Sequence, residues 1–104
     1  MTASTSPIDA LHHWFDEQKA PMARVGINLE YVENANEASK SARIEFDSDA
    51  LFGRATLWEN GLCDLEILSV ETGEQVLYQH HEEVNGARLQ SLLDALTGRM
   101  RSSM

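Results

Sequence analysis

The sequence predicts an α+β fold: a five-stranded antiparallel meander sheet with an N-terminal and a C-terminal helix packed on one face. Three observations predict it. The stretch Gly53–Glu83 holds three strand-like runs joined by two short glycine-containing turns, Glu59-Asn60-Gly61 and Glu71-Thr72-Gly73. Two earlier runs alternate apolar with polar residues, and an apolar stripe at helical spacing stands at each end of the chain. A ribbon with one greasy face needs cover to be stable, and two amphipathic helices supply it.

The first helix is expected over about residues 7–23. Ser6 can cap it, Pro7 suits the first helical position, and Asp9 favours the positive end of the helix dipole. Ile8, Leu11 and Phe15 recur at helical spacing and Trp14 widens the stripe. Pro21 lacks the amide that an unbroken ladder requires, so the helix is expected to end or restart there, with Met22 and Ala23 in a last turn. Val25, Ile27, Leu29 and Tyr31 then alternate with Gly26, Asn28 and Glu30, a strand over about 25–33. A polar loop, Asn34–Ser39, leads to a second alternation of Ala42, Ile44 and Phe46 against Arg43, Glu45 and Asp47, a strand over about 40–47. The remaining strands are expected over about 53–59, 62–70 and 74–82. Asn85 can cap a closing helix over about 86–100, striped by Leu89, Leu92, Leu93, Leu96 and Met100. The last residues, to Met104, are expected to fray.

The turn at Asn60 can be decoded from side-chain alternation. A two-residue loop mixes charged and apolar residues on both faces of the hairpin. A three-residue loop, with Gly61 left-handed in a G1 bulge, sets Leu57 beside Cys63, Ala55 beside Leu65 and Gly53 beside Ile67. The opposite face then pairs Trp58 with Leu62, Thr56 with Asp64 and Arg54 with Glu66, the last expected as an ion pair. A slip of one residue exchanges the two faces, so the pattern selects the three-residue loop. The turn at Gly73 is less decisive. Closing Glu71 on Glu74 turns Val76, Tyr78 and His80 to the Leu65/Ile67 face; a three-residue loop turns Leu77, Gln79 and His81 there instead. The first option buries more apolar surface and is the one expected.

At 104 residues the chain is expected to form one domain with a core that needs no staples. The lone Cys63 excludes an internal disulfide and reads as a small core residue. Met1–Ser6 has no basic region followed by an apolar run, and no stretch reaches membrane-spanning length, so a cytoplasmic location is expected. The net charge of −9 is uneven. Residues 26–84 hold 13 acids and 3 bases, net −10, and the remainder holds 4 acids and 5 bases, net +1. Nucleic acid and anionic membrane are poor partners for such a sheet, whereas a basic protein surface is a good one. Acidity of this kind also serves solubility alone.

Candidate chemistry is thin. His80 and His81 point to opposite faces of a strand and cannot chelate one ion together, and His12 and His13 diverge on a helix. Asp64 and Glu66 share a face but lack a nucleophile or oxyanion donor beside them. The six glycines are scattered at turn-like positions and build no phosphate loop. No metal, cofactor or catalytic residue is therefore expected. Trp58, beside Leu62 on a charged face, is either covered by a neighbouring loop or is an exposed anchor ringed by acids, the composition of a binding hot spot.

The run Gly53–Glu66, with its spacing of Gly53-Arg54, Thr56, Trp58, Gly61, Cys63-Asp64 and Glu66, resembles the immunity proteins of the TriTu family. Glu71–Glu74 and Tyr78–Glu82 extend the resemblance; Trp14-Phe15 and Phe46–Asp49 agree loosely. The resemblance implies a cognate antitoxin of a contact-delivered bacterial toxin, an ADP-ribosyltransferase that modifies elongation factor Tu. It carries no catalytic motif with it. Its partner would be the toxin domain, held one-to-one by a monomer and blocked at its NAD or target-protein cleft. Trp58 is then the candidate anchor, Glu59, Asp64 and Glu66 supply electrostatic fit, and Tyr78 is a further candidate contact. The alternative is an acidic secretion chaperone, generally a dimer that holds an unfolded segment. Molecular mass in solution separates the two.

Overall fold

The computed structural model describes residues 6–35 and 40–102. Residues 36–39 of the expected loop and the ends, 1–5 and 103–104, lie outside the described residues. The elements run α1 (Pro7–Arg24), β1 (Asn28–Ala35), β2 (Lys40–Asp47), β3 (Leu51–Trp58), β4 (Cys63–Ser69), β5 (Gln75–His81) and α2 (Gly86–Ser102). The strands form one antiparallel sheet in the order β1-β2-β3-β4-β5, the meander that short turns dictate.

Both helix starts use the caps that the residues supply. Ser6 Oγ accepts the Asp9 amide at 3.1 Å, and Asn85 Oδ1 accepts the Arg88 amide at 2.9 Å. Helix α1 runs through Pro21 to Arg24, one residue past the expected end, with Met22 and Ala23 in its last turn. The missing amide falls near the C-terminus, and continuation turns Met22 into the core, where only 7% of it remains exposed. Val25 then closes the helix, and Gly26 takes φ +86°, a conformation open to glycine. For that reason β1 begins at Asn28, three residues later than the alternation suggests, although Ile27 is still fully buried.

The helices cover one face of the sheet. Helix α1 lies against β1, β2, β3 and α2, and α2 lies against β3. Beneath them run rows set by the strand registers, Leu29–Phe46–Gly53–Ile67–Leu77 and Tyr31–Ile44–Ala55–Leu65–Gln79. Trp14 joins the layers: its indole ring lies 6.0 Å from that of Phe46, and its Nε1–H donates to Asp94 Oδ1 at 3.3 Å. Gly53 has a packing reason. A Cβ there would lie 2.9 Å from Met100 Sδ and 3.3 Å from Phe46 Cβ, so its absence lets α2 settle on the sheet.

The β3–β4 register is the one that the three-residue loop requires: Leu57 opposite Cys63, Ala55 opposite Leu65, Gly53 opposite Ile67. Gly61 sits at φ +94°, and the Trp58 amide donates to the Leu62 carbonyl at 2.9 Å. The β4–β5 register corrects the expectation. Leu77, Gln79 and His81 face the Ile67/Leu65 side, not Val76, Tyr78 and His80. The loop is wider than either reading supposed. The Ser69 amide donates to the Glu74 carbonyl at 2.8 Å, Ser69 Oγ accepts the Thr72 amide, and Thr72 Oγ1 accepts the Glu74 amide. A register shift at Ile67/Leu68 then changes the parity of the strand. Local polar bonds and a bulge outweigh the extra apolar area that the inward Tyr78 and Val76 would have buried.

Candidate partner-binding face

The face of the sheet opposite the helices is built from every second residue of the five strands. Two rows cross it, Glu30–Glu45–Arg54–Glu66–Tyr78 and Val32–Arg43–Thr56–Asp64–His80. Asp47, Phe52 and Leu68 flank them at one end, Ser41, Trp58 and Leu62 at the other. Five carboxylates (Glu30, Glu45, Asp47, Asp64, Glu66) thus stand on this face against two guanidinium groups (Arg43, Arg54). On β2, β3 and β4 the residues of this face alternate with buried core residues of the same strand.

Of the residues singled out in the sequence, the fold places Trp58, Asp64, Glu66 and Tyr78 on this face. Trp58 is half-buried at the end of β3, neither sealed in the core nor free of neighbours. Tyr78 arrives here through the corrected register. It lies opposite Glu66, is 53% exposed, and has its phenol pKa raised, first by desolvation and then by the Asp64 and Glu66 charges. Glu59 does not join them. It follows the last strand residue and lines a hollow with Ser6 and Asp9 at the start of α1 and with Lys40.

The expected Arg54–Glu66 ion pair is replaced by other contacts. Glu66 accepts from Gln75 Nε2 at 3.0 Å, and Glu45 is taken by Arg43 Nε at 2.9 Å. The Arg54 guanidinium instead lies 5.7 Å from the centre of the Phe52 ring, and its buried Nε has no hydrogen-bond partner. Register places Arg54 between two carboxylates, but Arg43, on the same strand as Glu45, and Gln75, at the start of β5, reach them first.

His80, expected on the Leu65/Ile67 face with Tyr78, instead stands on the open face opposite Asp64. Its Nδ1 lies 2.5 Å from Asp64 Oδ1 and its Nε2 lies 3.5 Å from Glu82 Oε2. The Asp64 hydrogen bond is the main cause of a raised pKa. His81 points to the helix side, where burial and the nearby Arg88 lower its pKa. A carboxylate thus stands beside each ring nitrogen of His80, an arrangement that favours its protonated form. Cys63 has its thiol pushed up to about 12, chiefly by burial. Among the described residues, no three His, Cys, Asp or Glu side chains converge where a metal would be held, and no helix is long and apolar enough to cross a membrane.

The face joins a charged platform to an indole and a phenol, side chains that are common where proteins recognise one another. The family model of the immunity protein TriTu matches residues 9–97, from the first turn of α1 into the last turns of α2, and so spans every strand of the sheet. No curated protein matches the chain. The match covers most of the chain and the whole of the architecture described above, and the chain belongs to the TriTu family of immunity proteins.

Proposed function

We propose that the chain neutralises an ADP-ribosyltransferase toxin acting on elongation factor Tu by docking its open sheet face on the toxin domain and occluding the NAD or target-protein cleft. Membership of an immunity-protein family implies a cognate toxin as partner. The observation that supports docking through this face is the placement of both helices on one side of the sheet, which leaves the acidic rows and the half-buried Trp58 uncovered on the other. A cleft that binds NAD presents basic groups to its phosphates, and a carboxylate-rich platform competes for them. Docking by long-range complementarity also raises the association rate, which an antitoxin in the cytoplasm needs. The mode is occupancy, one chain per toxin domain, with no chemistry performed on the toxin.

Titrating the chain into the toxin domain while following modification of elongation factor Tu tests this reading. Inhibition should be complete at one equivalent. Restoration by substoichiometric amounts would point to catalysis by the chain, and persistence of activity at excess would remove the reading.

A further inference from the structure

We propose that the free edge of β5 is a pairing site for an extended, lysine- or arginine-bearing segment of the toxin domain, which adds to the sheet as a further strand. This rests on the reading above that the partner is a toxin domain, and it names how part of that domain is held.

The backbone groups available on β5 follow from the ladder. The Trp58 amide donates to Leu62, which marks the hydrogen-bonded pairs of β3 and β4; in an antiparallel ladder these alternate with non-bonded pairs. Cys63, Leu65, Ile67 and Ser69 therefore turn their amides and carbonyls toward β5, as the Ser69–Glu74 bond of 2.8 Å illustrates. Within β5, Leu77, Gln79 and His81 pair inward, and Tyr78 and His80 direct their N–H and C=O groups outward.

Edge strands are commonly blunted by lysine, proline or a covering element. Strand β5 carries neither residue, and residues 55–87 contain no Lys or Arg at all. Among the described residues the exposed large apolar or aromatic side chains are Val70 (54%), Val76 (40%) and Tyr78 (53%), all in the β4–β5 hairpin. The opposite edge, β1, differs: its Tyr31 is tucked against His12 and Phe15 of α1 and donates to Glu33 at 2.8 Å.

Charge chooses the occupant. Asp64, Glu66, Glu74 and Glu82 stand beside or on the approach to this edge. A second copy would bring the same carboxylates together, whereas a basic extended segment would add cations beside carboxylates that now have His80 and Gln75 as side-chain partners, while its backbone pairs with Tyr78 and His80.

Amide hydrogen exchange on the chain, alone and with one equivalent of the toxin domain, is the direct test. The Tyr78 and His80 amides should exchange rapidly alone and slow by about tenfold or more in the complex. A complex that leaves both unchanged removes edge pairing while keeping the inhibitor reading; absence of any complex removes both. Protection that grows with concentration of the chain alone assigns the edge to a second copy and overturns the proposal. Independently, Tyr78→Pro deletes an outward amide that Tyr78→Ala retains, so the proline variant should bind about tenfold more weakly than the alanine variant. Equal affinities would count against a backbone contact.

Discussion

The two faces of this sheet use the same strands for different ends. On the helix side Ile44, Phe46, Leu57 and Ile67 have no exposed surface, and neighbours fix each side chain from all directions. On the other side the residues between them are half-buried, charged or aromatic, and several carboxylates are already bonded to neighbours on the same face. The difference teaches where a substitution acts. Change on the covered face is felt as stability, because packing there has no slack. Change on the open face is felt as affinity, because water or a partner can replace what is lost.

The largest expected effect breaks the covered face. Leu65, 2% exposed, packs under α2, and Leu65→Ala should cost about 2–5 kcal/mol in chemical denaturation. A near-normal midpoint would contradict the register of β3 and β4. Next, Trp58→Ala should weaken the toxin complex by about 2 kcal/mol or more in calorimetric titration, with the fold retained. Unchanged affinity would strike Trp58 from the docking surface. A smaller effect returns to the covered face: Gly53→Ala sets a methyl against the fully buried Met100 and should lower stability by about 1–2 kcal/mol, read from the same denaturation curves.

The finest test sets two neighbouring histidines on opposite faces. The folded pKa of His80 is raised above 6.5 by Asp64 and that of His81 is lowered by burial. The contribution of His80 is therefore complete below the unfolded value and is lost as pH rises through the raised one. For His81 the sign reverses: stability falls as pH drops from 6.5 toward the lowered value, because only the unfolded chain takes the proton readily. Proton NMR titration should show His80 above and His81 below the ordinary midpoint, and Asp64→Asn should return His80 toward it. Coincident titration of the two rings would contradict their assignment to different faces.

How much of this was legible depends on how locally each feature is decided. The Glu59–Gly61 turn was readable because its evidence lies within a few residues on either side. Gly61 accepts the positive φ, and the charges of Arg54, Asp64 and Glu66 separate from the aliphatic residues in one register alone. The face of Tyr78 is not legible from apolar area, because the bonds of Ser69 and Thr72 in the preceding loop set the parity of β5. Glu59 looked like a member of the acidic face; its neighbours Ser6 and Asp9 lie some fifty residues away in the chain and only the fold brings them together.

By itself the sequence determined the order of elements, the caps at Ser6 and Asn85, the side on which four of the strands carry their core residues, and the acidity of the sheet. Each follows from backbone stereochemistry and alternation, which act over a few bonds. The tertiary structure alone decided the parity of β5, the partner of Glu66, the exposure of Trp58 and the burial of Met22. Those depend on competition among groups distant in sequence, where a hydrogen bond from Gln75 tips a balance that local rules leave open.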